Sequence, residues 1–201
     1  MRIILASKSP RRVKLLKELI DEFEVIPSTI NESSIKLVEK DPLKLVEKLA
    51  EIKAEDVFNK EQSKSGDLLV IGGDTAVYMD GEIYGKPHTK ENAFIMLGKL
   101  QGRTNTVYTG LGIMVRVGND VIREVYSSKT VVEMKAMSKE DIMEYIATGE
   151  PLDKAGAYAV QGIGAKYIKS IQGSADSAIG MDRNKVKEIL EKYCILCKSV
   201  V

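Results

Sequence analysis

Leu68-Leu69-Val70-Ile71-Gly72-Gly73-Asp74-Thr75 is a continuous apolar run that stops at two glycines and an acid. A run with no polar residue at alternate positions belongs to a strand covered on both faces, which is how strands sit in α/β sheets. Such sheets place their chemistry at the carboxyl ends of strands. Asp74 stands at that end, after two glycines that let a backbone approach a ligand closely, and is therefore a candidate site residue. The competing reading is a carboxylate that only caps a turn.

Working outward, a similar junction opens the chain in Ile3-Ile4-Leu5-Ala6-Ser7-Lys8-Ser9-Pro10-Arg11-Arg12. Pro10 suits the first position of a helix, where its missing N–H costs nothing, and Ser9 falls at the N-cap. The first N–H groups of that helix, its dipole, the hydroxyls of Ser7 and Ser9, and the cations Lys8, Arg11 and Arg12 can converge on one anion. Strand, loop and helix start make a candidate phosphate pocket. Ordinary capping beside solvated basic residues would use the same residues.

The segments between and beyond alternate between strand and helix. Helical spacing of apolar residues runs from Pro10 to about Ile20, Phe23 to Pro27 reads as a strand, and Ser28 to Lys40 as a polar loop containing Glu32. Asp41-Pro42 caps a helix with Leu43, Val46, Ala50, Ala54 and Val57 at intervals of three or four. Lys53 lies on the edge of this stripe. Its charge either snorkels to water or points into a cleft. Ala76 to Met79 and Glu82 to Tyr84 flank Asp80-Gly81 as a type I′ hairpin that delivers Gly85-Lys86-Pro87. Thr89 caps a helix ending at Gly102, and strands at Thr104 to Val117 and Val121 to Met134 meet at Gly118-Asn119, making the sheet mixed. Ser138 and Asp141 begin a helix to about Ala147. Residues 153 to 174 read as two short strands around a tight loop, and a last helix holds Val186, Ile189, Leu190 and Tyr193. The fold class is α/β, a mixed-sheet body with two lobes.

Composition limits the function classes. The 201 residues carry 30 basic and 29 acidic side chains, so no global field draws nucleic acid or a membrane surface, and any anion site must be local. Aromatic residues are 5% and tryptophan is absent, which disfavours a single-strand nucleic-acid binder. No apolar stretch approaches the ~20 residues of a membrane span, and no signal peptide is recognisable. A soluble, cytoplasmic protein is expected. Cys194 and Cys197 form a lone C-x-x-C without a second ligand pair, and a structural role fits them better than zinc.

The motifs in order resemble the Maf family of nucleoside triphosphate pyrophosphatases, related in fold to the inosine triphosphate pyrophosphatases. The resemblance runs from Leu5-Ala6-Ser7-Lys8-Ser9-Pro10-Arg11-Arg12 through Gly73-Asp74-Thr75, Gly85-Lys86-Pro87 and Tyr108-Thr109-Gly110. It continues to Glu150-Pro151-Leu152-Asp153-Lys154-Ala155-Gly156-Ala157-Tyr158 and Gln161-Gly162. It implies one domain over residues 1–201, with two lobes around a central cleft, and hydrolysis between the α and β phosphates to a monophosphate and pyrophosphate. It assigns phosphate binding to Ser7, Ser9, Arg11 and Arg12, catalysis to Asp74, Lys53 and Lys86, and Mg²⁺ or Mn²⁺ binding to Glu32 and Asp74. Hard oxygen ligands and the lack of a His cluster agree with those ions. The partner is a nucleoside triphosphate, with neither nucleic acid nor membrane involved, and there is room for a homodimer.

Arg11, Thr75 and Gln161 together resemble the branch acting on dTTP and UTP; the Gln161 amide can meet the O4 and N3–H edge of a pyrimidine, although a glutamine can read other bases too. The alternatives are a 7-methyl-GTP branch and a nucleotide-binding regulator of cell division and septum formation. Gly180-Met181-Asp182 and Asn105 depart from the family pattern, and both are expected to lie outside the phosphate site.

Overall fold

The computed structural model of the chain describes residues 1–194. Cys197, and with it the reading of the C-x-x-C pair, lies outside the described residues. Seven strands form one mixed sheet in the order β2-β1-β3-β5-β6-β7, with β4 paired to β3. They are β1 (Arg2–Leu5), β2 (Glu24–Val25), β3 (Leu68–Met79), β4 (Glu82–Tyr84), β5 (Thr104–Val117), β6 (Asp120–Met134) and β7 (Ile168–Gln172). β1 runs parallel to β2 and β3, placing Leu5 opposite both Val25 and Ile71, whereas β3–β4 and β6–β7 are antiparallel. The mixed α/β class read from the sequence holds.

The helices are α1 (Pro10–Lys17), α2 (Ser33–Val38), α3 (Pro42–Glu61), α4 (Lys90–Leu100), α5 (Lys139–Ala147), α6 (Ala175–Ile179) and α7 (Arg183–Cys194). Their starts follow their caps. The Asp41 carboxylate accepts from the N–H groups of Leu43 and Lys44, Thr89 accepts from Asn92, and Ser138 and Asp141 exchange bonds in a capping box. The hairpin also forms as its residues require, with Asp80 and Gly81 at φ of 52° and 82°.

The chain divides into two compact units. The first comprises residues 1–74, 110–127 and the segment from Gly180 onward, and the second comprises residues 75–109 and 128–179. The first has a core of Ile4, Ala6, Ala54, Val57, Phe58, Leu68, Val70 and Met114. In it α3 packs against glycines. A Cβ on Gly72 would stand 2.3 Å from the Ala50 carbonyl, and one on Gly110 would stand 2.2 Å from that of Val46. Absent side chains thus let the helix backbone press directly onto β3 and β5. The second unit buries Val77, Leu97, Leu100, Val107, Val132, Ile142 and Tyr145 together.

Several elements depart from expectation. α1 ends at Lys17, not Ile20, because the Leu19 and Ile20 N–H groups both turn back to Leu16 O. β2 keeps only two paired residues, and the loop after it contains α2, whose start is tied by the Asn31 side chain accepting from Ser33 N–H. β3 runs unbroken into the hairpin, so Asp74 sits in mid-strand and not at a carboxyl end; the end lies five residues on, at Met79. The region 153 to 174 supplies one strand, preceded by 3-10 turns at Glu150–Asp153, Ala155–Ala157 and Gly162–Tyr167. Left-handed glycines at 156 and 162 prevent a second strand there.

Candidate active site

In the first unit, β1 hands the chain to α1 beside β3, where Ala6 N–H donates to Ile71 O at 2.8 Å. Ser7 is buried at 7% exposure, and its Oγ accepts from the Ser9 N–H and from Arg12 Nη1, both at 3.2 Å. Ser9 has the extended backbone of an N-cap, but its hydroxyl makes no cap bond. The capping expectation therefore holds for the backbone and fails for the side chain, because the turn is organised by Ser7.

Arg12 reaches from the first turn of α1 towards β3. Its Nε donates to the Gly180 carbonyl at 2.7 Å, and a Cβ on Gly73 would lie 2.9 Å from that nitrogen. The two glycines before Asp74 thus make room for parts of this chain: Gly72 admits α3 and Gly73 admits Arg12. Burial pushes the guanidinium pKa down, with Arg11 adding to the decrease, while the negative charges of Asp74 and Glu32 oppose it. Gly180, which departs from the family pattern, thus receives the Arg12 guanidinium through its carbonyl. The contact is made by a backbone carbonyl, which no residue-type motif would display.

Lys53 settles between two carboxylates. Its Nζ is 2.6 Å from Asp74 Oδ1 and 2.7 Å from Glu32 Oε1, and the side chain is only 13% exposed. The glycine-backed contact of α3 with β3 puts the lysine there, so its charge points inward and does not snorkel to water. Glu32 also pairs with Lys36 of α2. Burial pushes the Glu32 carboxyl up, but the hydrogen bonds from Lys36 and Lys53 outweigh it and hold the group at about 2.

Two carboxylates converging on one ammonium are a donor set suited to a hard divalent cation as well. Among the described residues, no group of three or more His, Cys, Asp or Glu side chains is placed to hold a metal by itself. Glu32 and Asp74 contribute two carboxylates to the cluster around Lys53.

The remaining site candidates belong to the second unit. Lys86 is exposed in the segment after β4, where the Gly85 carbonyl accepts from Gly156 N–H at 3.1 Å. Thr75 Oγ1 lies 3.3 Å from Thr109 Oγ1, whose own proton goes to Ser177 O at 2.7 Å, so Thr75 is the donor of the pair. Gln161 is exposed at the start of a 3-10 turn. Asn105 is 2% exposed and accepts from the Tyr158 hydroxyl at 2.7 Å, while its Nδ2 has no hydrogen-bond partner among the described residues. Sequence reading singled out neither Lys36 nor Tyr145 nor Glu150, the last two of which hold the turn after Gln161, and it did not foresee the Gly180 contact with Arg12. Glu150 had a signal in its place in a quoted motif, and Gly180 in its departure from the family pattern.

A family model described as Maf-like protein matches residues 2–193. Among curated proteins, a dTTP/UTP pyrophosphatase of Thermosipho africanus is 44% identical, over 94% of this chain and 92% of its own. Proteins of the same description from Caldicellulosiruptor saccharolyticus and Clostridium perfringens strain 13 are 39% and 38% identical. These alignments cover 95% and 97% of this chain, and 94% and 98% of theirs. A solved structure described as a nucleoside-triphosphatase / dITP/XTP pyrophosphatase from Mycobacterium abscessus aligns over 100% of this chain and 98% of its own. Its TM-score is 0.41 and its identity 11%, too low for the likeness to bear on the fold.

Proposed function

This chain belongs to the Maf-like protein family, and from that membership we propose that it hydrolyses nucleoside triphosphates to monophosphate and pyrophosphate, with dTTP and UTP as preferred substrates. The observation that carries the reading is the Lys53 ammonium held between Asp74 and Glu32. Structural ion pairs occur widely on surfaces, but this one is largely shielded and sits beside the half-buried Arg12.

In this reading Asp74 accepts the proton of the attacking water, and Ser7, Ser9, Arg11 and Arg12 bind phosphate. Lys53 and Lys86 add positive charge where it develops on the leaving pyrophosphate. A divalent ion held by Glu32 and Asp74 would, when bound, lower the pKa of a water and neutralise phosphate charge. Lys53 keeps the two carboxylates from repelling each other when no cation is bound. Arg11, Thr75 and Gln161 govern the choice of base, with the Gln161 amide donating to O4 and accepting from N3–H of a pyrimidine. Residues 1–201 act as one functional domain.

The test is product analysis with Mg²⁺ over UTP, dTTP, 5-modified pyrimidine triphosphates, GTP, ATP and 7-methyl-GTP. Monophosphate and pyrophosphate, formed faster from the pyrimidines, are expected. A diphosphate with inorganic phosphate would overturn the reaction assignment, and faster turnover of a purine would overturn the base assignment.

A further inference from the structure

Glu150 follows Gly149 at the head of a 3-10 turn, and three donors meet its carboxylate. Oε2 accepts from the Tyr145 hydroxyl at 2.7 Å and from Gly164 N–H at 2.8 Å, and Oε1 accepts from Ile163 N–H at 3.1 Å. The same Tyr145 hydroxyl accepts from Ala159 N–H at 3.1 Å. Tyr145 is 1% exposed in α5, so it is a fixed post. Together the two side chains fasten the chain on both sides of Gln161, at Ala159 and at Ile163-Gly164.

The fit allows no side chain at the glycines. Gly162 has a φ of +72°, and a Cβ there would stand 2.3 Å from Glu150 Oε1; one on Gly164 would stand 2.3 Å from the Tyr145 hydroxyl. Two successive N–H groups aimed at an anion form a nest, and here the chain supplies its own anion. Gln161 itself stays exposed, between the fastened Ala159 and the fastened Ile163-Gly164. Neither Glu150 nor Tyr145 has a part in the chemistry described above, yet their bonds converge on the segment that carries the base reader.

We propose that Glu150, braced by Tyr145, is a positioning residue for base selection: it fixes the 159–164 segment so that the Gln161 amide meets the base edge, without touching the substrate. This rests on the reading of Gln161 as the base reader. A loop held only for stability would lose turnover for all nucleotides alike, whereas a loop held for recognition loses discrimination.

The experiment measures kcat/KM for UTP and GTP with Mg²⁺ in the parent, Gln161→Ala, Glu150→Gln, Tyr145→Phe and the Glu150→Gln/Gln161→Ala double variant. The UTP:GTP ratio is expected to fall about tenfold in Gln161→Ala and roughly threefold to tenfold in Glu150→Gln and in Tyr145→Phe, as displacement of a reading group does. The double variant is expected to discriminate no worse than Gln161→Ala, since both changes act through one side chain. Equal losses for both nucleotides in Glu150→Gln, or a ratio change of the same size with and without Gln161, would overturn the positioning role and leave Gln161 as reader. An unchanged ratio in Gln161→Ala would overturn both. Tyr145→Phe deletes one hydroxyl from an otherwise intact ring and serves if Glu150→Gln does not fold. In that folded variant the amides of Ile163 and Gly164 should exchange hydrogen about tenfold faster; unchanged exchange would overturn the bracing.

Discussion

The two candidate clusters, one in each unit, hold their polar groups by different means. In the first, Lys53 stands between Glu32 and Asp74, and the half-buried Arg12 donates to Ser7 Oγ and to the Gly180 carbonyl. In the second, one carboxylate holds backbone N–H groups, and the side chain proposed to read the base is left exposed. Phosphate presents the same charge in every nucleotide, so a compact cluster of ions suffices for it. Discrimination between bases depends on the direction of a few neutral donors and acceptors, which a clamped backbone can fix. On the proposed assignment the first cluster supplies strength of interaction and the second orientation.

The largest expected effect lies in the ion cluster. Asp74→Asn keeps the volume, removes the anion and leaves Lys53 paired with Glu32 alone, so kcat should fall by roughly 10²–10⁴, the range of a lost general base. The thermal midpoint should move by only a few degrees, because Glu32 still compensates the lysine. Steady-state kinetics beside a melting curve checks both. A variant within tenfold of the parent would break the contrast between the units, since the charges of the first would then not be catalytic.

A smaller effect separates scaffold from chemistry. Gly112 of β5 lies under α3, and a Cβ there would come 2.5 Å from the Ala50 carbonyl. Gly112→Ala must therefore push the helix outward, destabilising the protein by about 1–3 kcal/mol. Lys53 rides on the same helix, so turnover should also fall while the UTP:GTP ratio stays constant. Urea denaturation with kinetics on both nucleotides measures this. A changed ratio would show that strain in the first unit reaches base selection.

Legibility in the sequence follows the same divide. Features set by local rules were visible: the Asp41, Thr89 and Ser138 caps, the Asp80-Gly81 turn and the buried run of β3 each follow from a few adjacent residues. The candidacy of Lys53 and Asp74 came from single positions, but not their pairing with Glu32, which requires knowing that α3 presses onto β3 through Gly72. Glu32 and Gln161 entered through family resemblance, because nothing in a polar loop or a glycine-rich segment marks one residue above its neighbours. The Gly180 anchor of Arg12 was illegible for a different reason: a carbonyl belongs to every residue type, and only the fold decides which one receives an arginine. The strand forecast for residues 153 to 174 failed because alternation of small and apolar residues does not reveal the left-handed turns at Gly156 and Gly162.

The smallest expected effect is a pH dependence of stability from Glu32. Its carboxyl lies at about 2 in the folded chain, against an ordinary value of 4.5, because bonds from Lys36 and Lys53 outweigh the upward push of burial. Between those values the unfolded chain binds the proton and the folded chain does not, so stability rises with pH through that window. The contribution is complete above the unfolded value near 4.5 and is lost as pH falls through the folded value. The Glu32 side chain is 30% exposed and that of Lys36 49%, so solvent screening reduces the effect to about 1 kcal/mol. Urea titrations at pH 6 and pH 2.5 should therefore show the parent losing about 1 kcal/mol more than Glu32→Gln, which has no proton to gain. The difference should shrink in high salt, since the pair with Lys36 faces water. Equal losses in parent and variant would mean that the ions of the first unit do not hold it together through Glu32, and the contrast between ion pairing there and backbone clamping in the second unit would rest on Asp74 and Arg12 alone.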